Sequence, residues 1–328
     1  MINAQPQAVP ELSDQPFFII GSPRSGTTLL ERILNRHSRL FIPPETEFFY
    51  RLMLQGLLGK PFDAGQASRF LDSYLECRPA TLLGLARTPE LKRRLLEDAD
   101  DYGTLFLRLM DVLRGSCQKP RCGEKTPHHL QSATTILELF PKASMIAMVR
   151  DERAVTRNRL QKPGWEDNLF SAARLWKRDS EKLVKLLQSH GDRCILVVRY
   201  EELVTDTSRV VGQVCEFLGE AFQPEMLNPE ADEGSRFDNY YQQSWMAKAS
   251  RPIDAKSVDA WRSAFLPKEL ALINHLQGPN LRYWGYPVET QGATGGWRML
   301  LLKERLRHAV YRVKRKLAGA TPLSRSGS

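Results

Sequence analysis

PFFIIGSPRSGTTLLERILNRHSRLFIPPETEFFY, residues 16–50, is the stretch from which the fold is read. Phe17-Phe18-Ile19-Ile20 is an apolar run without helical period, the pattern of a strand buried on both faces of a parallel sheet. Gly21-Ser22-Pro23-Arg24-Ser25-Gly26-Thr27-Thr28 turns the chain, and Leu29, Leu30, Ile33 and Leu34 then repeat at helical spacing. This order of strand, loop and helix brings free backbone N–H groups and the positive end of a helix dipole to one point, which makes an anion site.

The triphosphate pattern G-x-x-x-x-G-K-[ST] needs Lys after the second Gly to reach the outer phosphates, and Ser/Thr to hold magnesium. Gly21 and Gly26 keep that spacing, but Thr27 stands at the Lys position and the positive charge has moved into the loop as Arg24. A smaller anion that needs no metal suits these residues better than a magnesium triphosphate. An ordinary strand-turn-helix corner has no need of an Arg and four hydroxyl residues beside a helix start.

PRSGTT, residues 23–28, resembles the 5′-phosphosulfate loop of sulfotransferases that use PAPS (3′-phosphoadenosine 5′-phosphosulfate), in the form seen in the tyrosylprotein and carbohydrate branches. The resemblance implies a three-layer α/β fold, a mainly parallel sheet flanked by helices and built like a P-loop protein. It also implies that Arg24, Ser25, Gly26, Thr27 and Thr28 hold the phosphosulfate.

Further motifs extend the resemblance over about residues 16–286. VRDERAVTRN resembles the 3′-phosphate strip, with Arg150 as its Arg and Asn158 where a Ser is usual. Glu45, 21 residues after Arg24 in an E-x-x-F-F context, resembles the catalytic glutamate, with Glu47 as the fallback. Lys125 in E-K-T-P resembles the lysine set against the leaving oxygen. Tyr200 in R-Y-E-E-L matches a strand end that packs near the nucleotide, and Arg251, ten residues before Trp261, aligns with a Lys near the donor phosphates. Arg150-Asp151 also reads as a structural ion pair, and His128-His129 as an exposed turn rather than a base.

Composition bounds the rest. The 328 residues, 42% hydrophobic and 26% charged, describe a globular protein with a sizeable core. The N-terminus lacks the plan of a signal peptide and no run reaches membrane-span length, so a bacterial, cytoplasmic location is expected. Five cysteines without a framework are expected as thiols, and no metal is expected. Of the net charge of +9, residues 297–328 carry +8, nine Lys/Arg against Glu304 alone. The body is therefore not a nucleic-acid surface.

The sequence divides into a mobile arm (1–15), a catalytic domain (16–290) and a linker with a basic helix (291–328). Helices with Pro61, Pro79 and Pro89 as breaks fill residues 50–115, the acceptor-binding part. Residues 121–129 read as a connection before a helix at about 130–139, and two further strands are expected at 143–149 and 194–198. A helix is expected at 170–189, a lid or loop at 222–260, and a helix around Trp261 at 258–277. Leu300, Leu301, Leu302, Leu306, Val310, Val313 and Leu317 interleave with Lys/Arg, so 297–317 reads as a peripheral membrane contact, a partner contact or a helix packed on its own domain.

The expected activity is metal-independent, in-line transfer of a sulfuryl group from PAPS to a hydroxyl acceptor: a peptide tyrosine, carbohydrate, lipid or small metabolite. Competing readings are a small-molecule kinase and a protein that binds membranes or partners through its basic helix.

Overall fold

The computed structural model describes residues 12–13, 15–161, 168–191, 193–228, 237–241, 254–288 and 296–317. Its centre is a sheet of five parallel strands: β1 (Phe17–Gly21), β2 (Leu40–Phe41), β3 (Arg121–Lys125), β4 (Ser144–Val149) and β5 (Ile195–Arg199). They lie in the order β2-β3-β1-β4-β5. β1 is central, with Ile19 beside Lys125 on one side and beside Ile146 on the other.

Alternation along β1 builds the three layers. Phe18 and Ile20 face one core, Phe17 and Ile19 the other, and all four are fully buried. Each such side chain stabilises the fold by roughly 1.5–3 kcal/mol relative to exposure. The first layer holds α2 (Phe48–Leu54), α3 (Ala64–Leu75), α4 (Arg78–Leu82), α5 (Pro89–Leu96), α6 (Tyr102–Arg114), α7 (Ala133–Leu139) and α9 (Leu169–His190). The second is formed by α1 (Thr27–Asn35), α10 (Tyr200–Thr205) and α11 (Thr207–Leu218). α8 (Glu152–Leu160) follows β4 and packs on α9, as does α13 (Pro267–Tyr283). The expected three-layer α/β architecture is the one observed.

Local boundaries differ in three places. Residues 121–125 are a strand and not a connection: RCGEK has one apolar side chain besides its glycine, yet all but Arg121 are buried, because the strand lies between β1 and β2. β2 is only two residues long, and the apolar run Leu40-Phe41-Ile42 is too short to read as a strand. The helix expected from residue 258 begins at Pro267, where the ring's fixed φ suits the first helical position and the Glu269 carboxylate accepts the Leu266 N–H at 2.8 Å. Trp261 lies in the turns before it.

Of the expected lid, the structure describes a short 3₁₀ turn at Pro224–Leu227, α12 (Asp238–Tyr241) and a second turn at Ala255–Ser257; residues 229–236 and 242–253 lie outside the described residues, with most of the N-terminal arm and linker residues 291–295. α14 (Gly296–Leu317) packs one face on α9 and α13, through contacts such as Ser171 Oγ to His308 Nδ1 at 2.6 Å. All five cysteines are unbridged. No helix among the described residues is long and apolar enough to cross a membrane.

Candidate active site

Four strands end on one edge, and their C-terminal ends carry the residues that matter: Gly21 leads into the loop, Lys125 ends β3, Arg150 follows β4 and Tyr200 follows β5. In open parallel sheets this edge is where ligands sit.

The loop is held by close backbone approach. At Gly21 an added Cβ would lie 2.5 Å from the Met148 carbonyl oxygen, and at Gly26, with φ +99°, it would lie 2.4 Å from the Tyr200 ring. Arg24 takes φ +79°, a left-handed conformation that costs a non-glycine residue about 1–3 kcal/mol and that recurs at ligand clamps. Ser25, expected among the phosphosulfate ligands, turns its N–H and its hydroxyl to the Ser22 carbonyl, donating to it at 3.1 and 2.7 Å. The loop therefore closes on itself, and the N–H groups at the start of α1 remain for an anion.

Ser22 braces the loop from outside. Its hydroxyl donates to Asp179 Oδ2 at 2.9 Å and accepts from Arg159 Nη2 at 2.7 Å, tying the loop to α9 and α8. Burial first, then the charges of Arg150 and Arg159, pull the Arg24 guanidinium below the ordinary arginine range, while Glu45 opposes them. Cations from three elements thus converge on this edge. A bound anion would relieve that repulsion.

Tyr200 joins the two basic arms. Its ring fills the space beside Gly26, the Arg150 guanidinium lies over the same ring at 3.8 Å, and its hydroxyl meets Ser257 Oγ at 2.6 Å. Arg150 Nη2 donates to the Ser257 carbonyl at 2.9 Å, and its buried Nε has no hydrogen-bond partner among the described residues. The alternative reading as an Arg150-Asp151 ion pair fails: Asp151 binds Arg153, at 2.9 Å to Nε and 2.7 Å to Nη2. Burial, with no carboxylate in ion-pair contact among the described residues, holds Arg150 below its ordinary range. The residues present fit a donor with an anion at each end.

Asn158 is half-buried on α8, and its described contact is a long 3.5 Å one with Arg157 rather than Arg150. Arg251 lies outside the described residues.

On the other side of the loop, Lys125 is fully buried. Its Nζ lies 2.6 Å from Glu45 Oε1, 3.1 Å from Glu31 Oε2 and 3.2 Å from Thr28 Oγ1. Burial pulls its pKa down, but Glu31 and then Glu45 more than offset that and hold it above the ordinary lysine range. Tyr241 donates its hydroxyl to Glu31 Oε1, so α12 closes over the same group.

Glu45 and Glu47 divide in role. Glu45 is partly open, its side chain 23% exposed. Glu47 is buried, in a left-handed conformation at the start of α2, and bound to Arg51 Nη2 at 2.8 Å; burial pushes its carboxyl up to about 7 against the pull of Arg51. The segment carrying both is clamped by Glu124, which accepts from the Thr46 N–H and hydroxyl at 3.1 and 2.8 Å, from Thr126 at 2.7 Å, and meets His129 Nδ1 at 2.7 Å. Burial raises the Glu124 carboxyl, but His129 and these donors hold it below the ordinary range. The histidines expected in an exposed turn are thus structural: His129 is fully buried, and His128 stacks on Tyr50 at 4.7 Å.

Sequence reasoning missed Glu31, Glu124, Arg159, Asp179 and Tyr241. Glu31, lying among the apolar positions of α1 and itself fully buried, was the one with a readable signal: a carboxylate on the buried side of a helix.

Comparison with known proteins agrees with this geometry. A model described as "Sulfotransferase family" matches residues 16–224, and one described as "Sulfotransferase domain" matches residues 175–282. Protein-tyrosine sulfotransferase A of Caenorhabditis elegans is 24% identical over 278 residues, covering 83% of this chain and 67% of that protein. Nodulation protein NoeE of Sinorhizobium fredii is 24% identical over 289 residues, covering 80% and 64%. The sulfotransferase domain from the Synechococcus PCC 7002 olefin synthase superposes with a TM-score of 0.60 at 23% identity, over 87% of this chain and 99% of that one, and supports the fold. A phosphate loop without the triphosphate lysine, on a five-stranded parallel sheet, and a family match over well over half of the residues lead to one conclusion: the chain is an enzyme that belongs to the sulfotransferase family.

Proposed function

We propose that the enzyme moves the sulfuryl group of PAPS to a hydroxyl acceptor by in-line displacement without a metal, and releases adenosine 3′,5′-bisphosphate. The observation that carries this reading is Tyr200, whose one ring touches both the loop at Gly26 and the guanidinium of Arg150. The two basic arms therefore come together around one ring, which supports a donor with an anion at each end.

In this reading Arg24, Gly26, Thr27 and Thr28 hold the phosphosulfate, with Ser25 shaping the loop. Arg150 binds the 3′-phosphate, Asn158 and Arg251 border it, and Tyr200 packs beside the nucleotide. Glu45 accepts the acceptor's proton as its oxygen forms the new bond to sulfur. As the sulfur–bridging oxygen bond breaks, Lys125 and Arg24 stabilise the charge left on that oxygen. The alternative base, Glu47, is disfavoured by its burial, where Glu45 keeps a partly exposed carboxyl.

The acceptor enters from the helical layer of residues 50–115, beside Glu45. Several curated relatives are named protein-tyrosine sulfotransferases, which makes a peptide tyrosine the first acceptor to test, ahead of carbohydrate, lipid and small-metabolite hydroxyls. A cytoplasmic location with peripheral membrane contact through residues 297–317 belongs to the same reading. The kinase alternative is disfavoured by Thr27 at the lysine position and by the family match. Calorimetry tests the choice: adenosine 3′,5′-bisphosphate should bind without magnesium, and tighter binding of magnesium-ATP would overturn the proposal.

A further inference from the structure

α14 has two faces with opposite chemistry. On one, Trp297, Leu300 and Leu301 join the apolar cluster of α9 and α13, and Glu304 is buried. On the other, Met299, Leu302, Leu306, Val310 and Val313 stand exposed by 72, 55, 60, 54 and 59%. Their spacing of three and four residues puts all five on one narrow stripe along the helix. Lys303 and Arg307 run along one side of that stripe, and Arg298 and Arg305 along the other, all four exposed.

A helix that only packs on its own domain needs one apolar face. This one has a second, continuous over four turns and edged by cations on both sides. Beside the stripe lies a groove of about 590 Å³ lined by Leu302, Leu306, Val310 and Asn168, with Lys303 and Arg307 on its wall. Apolar walls beside cations suit an amphiphile with a negative head.

We infer that α14 is a docking helix for an anionic lipid surface, with Met299, Leu302, Leu306, Val310 and Val313 entering the acyl boundary and the flanking Lys/Arg side chains reaching the headgroups. The helix lies in the plane of the interface, because its other face is committed to the domain and its length carries too many charges to span. Charge decides between this occupant and a second copy of the chain. Two such stripes packed together would bring cationic borders against each other, whereas an anionic surface complements both. The inference rests on the peripheral-contact reading above and is independent of the chemistry at Glu45.

Sedimentation of the full chain with vesicles tests it. The protein should pellet with vesicles of phosphatidylglycerol and phosphatidylcholine in equal parts, stay in solution with phosphatidylcholine alone, and release as salt rises. Lys303→Gln with Arg305→Gln should weaken partitioning by about 25-fold, about fivefold for each cation lost. Leu306→Asp with Val310→Asp should abolish it while leaving turnover of a soluble acceptor and the circular dichroism spectrum unchanged. Failure of the native chain to pellet, or equal pelleting by the Leu306→Asp/Val310→Asp chain, would overturn the inference. A native dimer that this double substitution dissolves would assign the face to a second copy instead. Loss of turnover in every chain, with lipid binding intact, would count against the catalytic reading alone.

Discussion

Replacing Glu45 with Gln removes the proposed base while disturbing little else, because of how Lys125 is held. Lys125 Nζ contacts Glu45 at 2.6 Å but also Glu31 at 3.1 Å and Thr28 Oγ1 at 3.2 Å, so the buried ammonium keeps a carboxylate when Glu45 is neutralised. The amide oxygen of Gln can still accept from Lys125. Lys125 is buried, so losing its only carboxylate would cost about 3–5 kcal/mol, but Glu31 stays in contact and the loss of stability should fall well below that figure. A positioned general base contributes about 10²–10⁴-fold, or roughly 3–5.5 kcal/mol of barrier.

Initial rates with radiolabelled donor should therefore fall by about 10²–10⁴-fold in Glu45→Gln. Calorimetry with adenosine 3′,5′-bisphosphate should give an affinity within about threefold of the native chain, because no atom of Glu45 belongs to the anion sites. Glu47→Gln serves as the comparison, since its carboxylate is already engaged by Arg51. A Glu45→Gln enzyme that turns over within about tenfold of native would refute the assignment, and the larger loss falling on Glu47→Gln would move the base there.

Arg150→Gln should weaken adenosine 3′,5′-bisphosphate by about 10–100-fold, the worth of a hydrogen bond to a charged group, and unchanged affinity would remove Arg150 from the site. Gly26→Ala adds a Cβ 2.4 Å from Tyr200 at φ +99°, so it should cost more than the 1–2 kcal/mol of left-handed backbone and weaken donor binding, read by thermal unfolding and calorimetry together. Glu31→Gln removes one of the two carboxylates that hold Lys125 protonated, so the alkaline limb of the kcat profile should move to lower pH; an unmoved limb would rule this out. Glu47, at about 7 in the folded protein against 4.5 ordinarily, binds its proton more tightly when folded. Its stabilising share is full below about 4.5 and is lost as pH rises through about 7, at most about 3 kcal/mol, so urea unfolding of the native chain should lose ground to Glu47→Gln across that window.

The strand-loop-helix unit was legible because its elements obey local rules: an apolar run, two glycines at fixed spacing and an amphipathic helix. β4 and β5 were legible for the same reason. β3 was not, because its buried residues include Glu124 and Lys125, which no apolar pattern announces and which are buried only because tertiary partners satisfy them. The same physics hid His129, which a turn reading puts on the surface and which Glu124 draws inside. Ser25 was legible as part of the loop, but not the direction of its hydroxyl, which depends on the carbonyl of Ser22 three residues earlier.

Lys125 shows what a second carboxylate does that one cannot. In the proposed mechanism, with Glu45 as its only counter-ion, the buried ammonium would lose compensation when Glu45 takes the acceptor's proton, which is also when charge builds on the leaving oxygen. Burial would then favour loss of the lysine's own proton, and the stabilising cation would vanish when needed. Glu31 breaks that coupling. It sits on α1 and contacts the same ammonium; burial raises its carboxyl above the ordinary range, Lys125 and the Tyr241 hydroxyl pull against that, and Glu45 adds to it. The base and the cation can therefore act in the same step, although they touch at 2.6 Å. In the proposed mechanism the Lys125–Glu45 pair keeps its cation through the proton transfer because Glu31, one turn into the first helix, contacts the same ammonium.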